Sequence, residues 1–98
     1  METIVNARCE SGLVCVEYDG TVVMLSGEIS TAETRSGKRA LGGFVAVDFN
    51  DRRVPFDKSV SISIRDLKIP DVRFDSVVEH DGKWLFSFET GDQLAGFL

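Results

Sequence analysis

The clearest signal along the chain is strict alternation. In "SVSISIR", residues 59–65, Val60, Ile62 and Ile64 fall on one face and Ser59, Ser61, Ser63 and Arg65 on the other. That pattern predicts a strand with one covered face and one wet face. Two further stretches, "LVCVEYDGTVVMLSG" and "DSVVEHDGKWLFSFE", place Asp19-Gly20 and Asp81-Gly82 between runs of β-forming residues. Asp-Gly supplies the positive φ angles of a two-residue hairpin turn. The turns fix the pairing: Tyr18 faces Thr21, Val16 faces Val23 and Val14 faces Leu25. In the second hairpin Val77 faces Phe86 and Glu79 faces Trp84, which collects Val77, Trp84, Phe86 and Phe88 on one heavy apolar face. Val60, Ile62, Ile64, Trp84, Phe86 and Phe88 are therefore expected to be largely buried.

"TIVNARC" (3–9), "GFVAVDF" (43–49) and "DVRFDSVVE" (71–79) read as further strands, with Pro55 and Pro70 as punctuation. A proline in a sheet belongs at a strand end or on an edge. Thr90 to Gln93 has capping-box spacing, with Leu94, Phe97 and Leu98 after it on one helical side. Ser30 and Glu33 have the same spacing, but Gly37 would stop a helix early. Residues 30–42 read as the one long irregular stretch. The match of "VEYDG" to "VEHDG" is shared turn chemistry rather than a repeat, because the heavy faces lie opposite relative to the turn. Together these elements predict an all-β fold: a small antiparallel β-barrel or sandwich of about six to seven strands, with two Asp-Gly hairpins and a short C-terminal helical turn. Residues 1–98 are expected to form one compact β-rich domain.

Composition narrows the function classes. Sixteen acidic residues against eleven basic ones give a net charge of −5, which argues against direct nucleic-acid binding and against an anionic membrane surface. An acidic domain suits a protein partner with a basic surface. No signal-peptide pattern and no long apolar run is present, so a cytoplasmic location with reduced Cys9 and Cys15 is expected. With His80 as the single imidazole, neither a metal site nor a nucleophile–base pair has the residues it needs. No cofactor and no enzymatic activity are expected. Asp75 is the most notable acid, since alternation sets it beside Val77. It must pair with an arginine such as Arg73 or Arg65, or reach the rim.

The one place where charge runs against the rest of the chain is "TRSGKRALGG", residues 34–43, with Arg35, Lys38 and Arg39 followed by two glycines. It is not a P-loop: Ala32 stands where the first glycine belongs, and Arg39 stands where a magnesium-binding hydroxyl is required. The R-x-x-x-R spacing of Arg35 and Arg39 resembles that of PilZ domains, β-barrels that bind cyclic di-GMP. Downstream, Asp57 and Ser59 match the start of that family's [DN]-x-S-x-x-G motif, with Ile62 in place of its glycine; the resemblance covers about 28 residues. It implies that Arg35 and Arg39 grip phosphate and guanine, with Asp57 and Ser59 secondary. Arg52 and Arg53 form a second cationic cluster. If it lies at the same end as residues 35–39, the two make a positive pole on an acidic body. From residue 66 onward seven acids face three bases, and Asp71, Asp75, Glu79 and Asp81 are candidate partner-binding acids. The first expectation is a non-enzymatic, acidic protein-binding module, of the kind that phages and mobile elements use as inhibitors or adaptors of nucleic-acid-handling machines. The alternatives are a cyclic-dinucleotide sensor built on loop 35–39, and a structural subunit or homodimer joined through an exposed edge strand such as "SVSISIR".

Overall fold

The computed structural model describes residues 3–91. They form seven antiparallel strands and no helix: β1 Ile4–Tyr18, β2 Thr21–Thr34, β3 Arg39–Asp48, β4 Val60–Ile64, β5 Leu67–Val72, β6 Ser76–His80 and β7 Lys83–Gly91. All belong to one sheet in the order β5-β4-β1-β2-β3-β7-β6. Both Asp-Gly hairpins have the expected geometry. Asp19 and Gly20 take φ of 46° and 79°, and Asp81 and Gly82 take 50° and 77°. The predicted cross-strand partners of Tyr18, Val16, Val14, Val77 and Glu79 are all found.

The sheet is not closed into a barrel, yet it is strongly curled. Residues 73–75 alone carry the chain from β5 at one edge to β6 at the other. Four residue steps reach at most about 14 Å, whereas seven strands laid flat at ~4.8 Å spacing would be about 29 Å across. The edges therefore approach one another without sharing a ladder. Phe74, in the middle of the link, is buried and packs on Phe86 and Phe88 of β7, with ring centroids 5.7 Å and 6.3 Å apart. The core inside the curl gathers Val14, Val16, Val23, Ile29, Val45, Val47, Ile62 and Val72 around Phe74.

Several element boundaries differ from expectation. The strands read at 3–9 and from Leu13 are one 15-residue strand, β1, which continues through Glu10, Ser11 and Gly12. The predicted irregular stretch at 30–42 is mostly strand, and the connection shrinks to residues 35–38. Ser30 and Glu33 accordingly sit in β2 and start no helix. "DVRFDSVVE" is two strands on opposite edges, broken at 73–75. Thr90 and Gly91 end β7, and the rest of the expected helical turn, residues 92–98, lies outside the described residues.

Gly43 is no loop hinge. It lies within β3, where an added Cβ would sit 2.2 Å from the Glu28 carbonyl oxygen and 3.0 Å from the Phe88 ring. Close approach, not turn conformation, explains a side-chain-free residue there. The buried phase of β2 also changes, from Val23, Leu25 and Ile29 to Ala32 and Thr34. The outer half of the β1–β2 hairpin projects past β4, which pairs with β1 only over Cys15–Glu17. Ion pairs from the β4–β5 turn brace it: Arg65 to Glu10 at 2.8 Å, and Asp66 to Arg8.

Candidate functional site

The structure separates the two cationic clusters instead of joining them. Arg35, Lys38 and Arg39 lie at the start of β3, while Arg52, Arg53, Asp57 and Ser59 lie in the segment after its end. Nine residue steps of β3 put about 30 Å between the two groups. The expected common positive pole does not form, and Asp57 and Ser59 are not brought to the arginines with which the PilZ resemblance would group them. The cationic turn is also closed on itself. The Gly37 amide donates to the Thr34 carbonyl, the Lys38 amide to Thr34 Oγ1, and the Arg35 amide to the Thr3 carbonyl. Backbone amides already engaged in this way are not available to wrap a phosphate. Arg39 pairs across the strands with Glu33, Nε to Oε2 at 3.2 Å. It lines a cleft of about 310 Å³ with Lys68, Leu41 and Ile69.

"SVSISIR" is not an edge. β4 is paired on both sides, with β1 and with β5. The sheet's terminal strands are β5 and β6, and they differ in kind. β5 carries Lys68 and Pro70. It also has one residue more than β4 between the Ile62–Ile69 and Val60–Val72 pairs, with Asp71 at a φ of 56°. Lysine, proline and a bulge are among the devices by which natural edges avoid pairing. β6 carries no lysine or proline, keeps an unbroken register with β7 from Ser76 to His80 and is exposed along its whole length; its irregularity is confined to its start, where the Asp75 amide turns to the Ser87 carbonyl. Val77 and Val78 retain 45% and 56% of their surface.

Hairpin geometry tells which β6 groups are free. Residues flanking a two-residue turn exchange both backbone hydrogen bonds, and the pattern alternates from there. His80, Val78 and Ser76 therefore direct their amides and carbonyls to β7, and Val77 and Glu79 direct theirs outward. Three of the candidate acids cluster here: Asp75 precedes β6, Glu79 lies in it and Asp81 forms its turn. Asp75 is exposed and makes no ion pair among the described residues, while its amide donates to the Ser87 carbonyl at 2.9 Å. It reaches the rim, and Arg65 is taken by Glu10 instead. His80 stays exposed beside Asp81, Nε2 to Oδ2 at 3.3 Å. The fourth acid, Asp71, sits on the other edge in the β5 bulge.

Inside the curl beside β6, residues 49–59 only partly cover the apolar face. Val54 is buried, and Tyr18 Oη donates to the Arg53 carbonyl, which anchors the segment. Phe49 packs on Trp84 and Phe56 on Phe86, with centroids 4.8 Å and 5.3 Å apart. Of the residues expected to be largely buried, Trp84 and Phe86 are only partly covered, and Val60, Ile62, Ile64 and Phe88 are buried. The gap is a cleft of about 360 Å³ lined by Val54, Phe56, Val77, Trp84 and Phe86, with Asp51 and Arg52 at its mouth. Arg53 grips Asp51 with both a side-chain fork, at 2.8 Å and 3.0 Å, and its amide, at 2.9 Å. Those bonds, the guanidinium ones first, hold the Asp51 carboxyl down at about 2. Arg52 is exposed and makes no ion pair among the described residues.

Alternation found the aromatic face but not the cleft or the edge. The available signal was Val77-Val78, two adjacent apolar residues that an amphipathic strand with one wet side would not carry. Among the described residues, no three of His, Cys, Asp and Glu come close enough to hold a metal ion, and no helix is long and apolar enough to cross a membrane. No family model, curated protein or solved structure matches the chain.

Proposed function

We propose that this chain is a non-enzymatic protein-binding module that takes an extended, basic segment of its partner as an eighth strand along β6. The observation that carries the reading is the contrast between the sheet's edges: β5 is blunted by Lys68, Pro70 and a bulge, and β6 is open and regular. In strand addition the main chain supplies affinity and the alternate side chains supply specificity. Asp75, Glu79 and Asp81 give the edge its preference for lysine or arginine opposite. This is the chemistry expected of a small acidic inhibitor or adaptor acting on a basic surface.

Charge also favours a different protein over a second copy. Two β6 strands related by a two-fold axis pair about Val77, Val78 or Glu79. Each register brings the Asp75, Glu79 and Asp81 carboxylates of one copy near those of the other, and the third sets Glu79 directly against itself. Like charges directly opposite are destabilising. A Val77→Pro variant tests the reading, because it deletes an outward donor while leaving the ladder to β7 complete. Binding to the partner's basic segment is expected to fall at least about tenfold, equivalent to the loss of roughly 1.4 kcal/mol, with the fold retained. Unchanged binding would rule out strand addition at β6.

A second reading rests on Arg39 and Lys68 lining one cleft with Glu33, the partner of Arg39; the two cations would meet a phosphate of a cyclic dinucleotide if Arg39 exchanged Glu33 for it. A thermal shift with cyclic di-GMP that disappears in Arg39→Ala would support it, and no shift with any nucleotide would remove it.

A further inference from the structure

The cleft between residues 51–56 and the β6–β7 hairpin has no role in the core. It leaves Trp84 and Phe86 half-covered and Phe56 exposed, although large aromatics in a small domain ordinarily complete its packing. We infer that it is the specificity pocket of the edge-binding site: it receives one aromatic side chain of the strand added to β6, two positions from a lysine or arginine. The inference rests on the strand-addition reading above and deepens it by naming the ligand class.

Strand geometry selects that occupant. Side chains of paired residues in neighbouring strands point to the same face. Val77 and Glu79 face the inside of the curl with Phe86 and Trp84. A ligand residue opposite Val77 must then project into the curl at the cleft, and one opposite Glu79 projects on the same side. A residue opposite Val78 lies on the outer face, beside Leu85. The motif that satisfies these positions is an aromatic residue with a cation two positions away, opposite Glu79, and a β-branched residue between; a cation on both sides lets the ligand run in either direction. At about 360 Å³ the cleft stands at the small end of binding pockets, which fits a single side chain. Phe56 and Phe86 already meet nearly edge-on, at 78°, and leave ring faces and edges for a third aromatic. Asp51, which would oppose nothing in an apolar anchor, is neutralised by Arg53. Arg52 remains to lie over the inserted ring as a cation–π partner.

Two peptides decide the matter: Lys-Val-Phe-Val-Lys and its Lys-Val-Ser-Val-Lys counterpart, both capped at their ends. Each presents the same pattern to β6 in either direction. They are titrated into the intact protein while backbone amide shifts and the fluorescence of Trp84, the single tryptophan of the chain, are followed. The expected result is amide shifts at Val77 and Glu79 with both peptides. Affinity for the phenylalanine peptide should be about tenfold higher, with a Trp84 response to that peptide alone. Phe56→Ser is expected to erase the difference while leaving the serine peptide's affinity unchanged. Equal affinity of the two peptides at Val77 and Glu79 would overturn the pocket and leave strand addition standing. No amide shift at either residue with either peptide would overturn both.

Discussion

The two ends of this sheet are built from similar lengths of chain and behave as opposites. β5 and β6 are six and five residues long, are joined by only three residues, and each lacks a neighbour on one side. Along its open side β5 carries a lysine, a proline and a bulged aspartate, and β6 carries two valines, a glutamate and two unused pairs of backbone groups. A sheet that needed only to remain soluble would be expected to treat both edges alike. The difference teaches that exposure by itself says little here. The signal is one protected edge beside one unprotected edge, with an incompletely filled aromatic cleft next to the latter.

The largest expected effect falls on what holds the two edges together. Phe74→Ala removes the ring that ties the β5–β6 link to Phe86 and Phe88, and is expected to cost about 3–5 kcal/mol in chemical denaturation. A loss below 1 kcal/mol would mean that the curl is held elsewhere. Next comes the parity of β6. Val78→Pro deletes an amide that pairs with β7 and leaves a carbonyl there without its donor, at a cost of about 2 kcal/mol. Val77→Pro deletes one that faces outward and should cost clearly less. Equal losses in thermal unfolding would contradict the assignment of free groups at Val77 and Glu79. The β5 side can be tested by removing its protection. Pro70→Val combined with deletion of Asp71 straightens that edge, and is expected to produce a mass that rises with concentration in light scattering, which the parent chain should not show.

The smallest effect concerns the mouth of the cleft. Asp51 has its carboxyl lowered to about 2 by Arg53, below the usual aspartate value. Its contribution is therefore present above pH 4 and lost as pH falls toward 2. With allowance for screening by solvent it is worth about 1 kcal/mol. Acid titration of stability should show this loss in the parent chain and not in Asp51→Asn.

Much of the fold was legible because turn chemistry and period-two alternation are local. Asp19-Gly20 and Asp81-Gly82 set the register of two hairpins, and "SVSISI" set the face of β4. The unreadable parts depend on contacts made at a distance. Nothing local marks Arg73-Phe74-Asp75 as a crossing between edges, since Val72, Arg73, Phe74 and Asp75 continue the alternation of β5. Gly43 looks like a loop glycine until the approach of the Glu28 carbonyl and the Phe88 ring is seen. The cationic run at 35–39 drew attention by charge, yet its backbone is consumed by its own turn and by Thr3. The candidate acids Asp75, Glu79 and Asp81 were readable one at a time. Their common edge became meaningful only once β6 proved to be terminal, a property of strand order that no single segment encodes.

The most direct test of the central claim is amide hydrogen exchange of the intact protein with and without the Lys-Val-Phe-Val-Lys peptide. The outward amides of Val77 and Glu79 should exchange freely alone and become protected when the peptide is bound, while β5 residues Leu67–Val72 keep their rates. Protection appearing along β5, or none at Val77 and Glu79 at saturating peptide, would contradict the assignment of β6 as the binding edge.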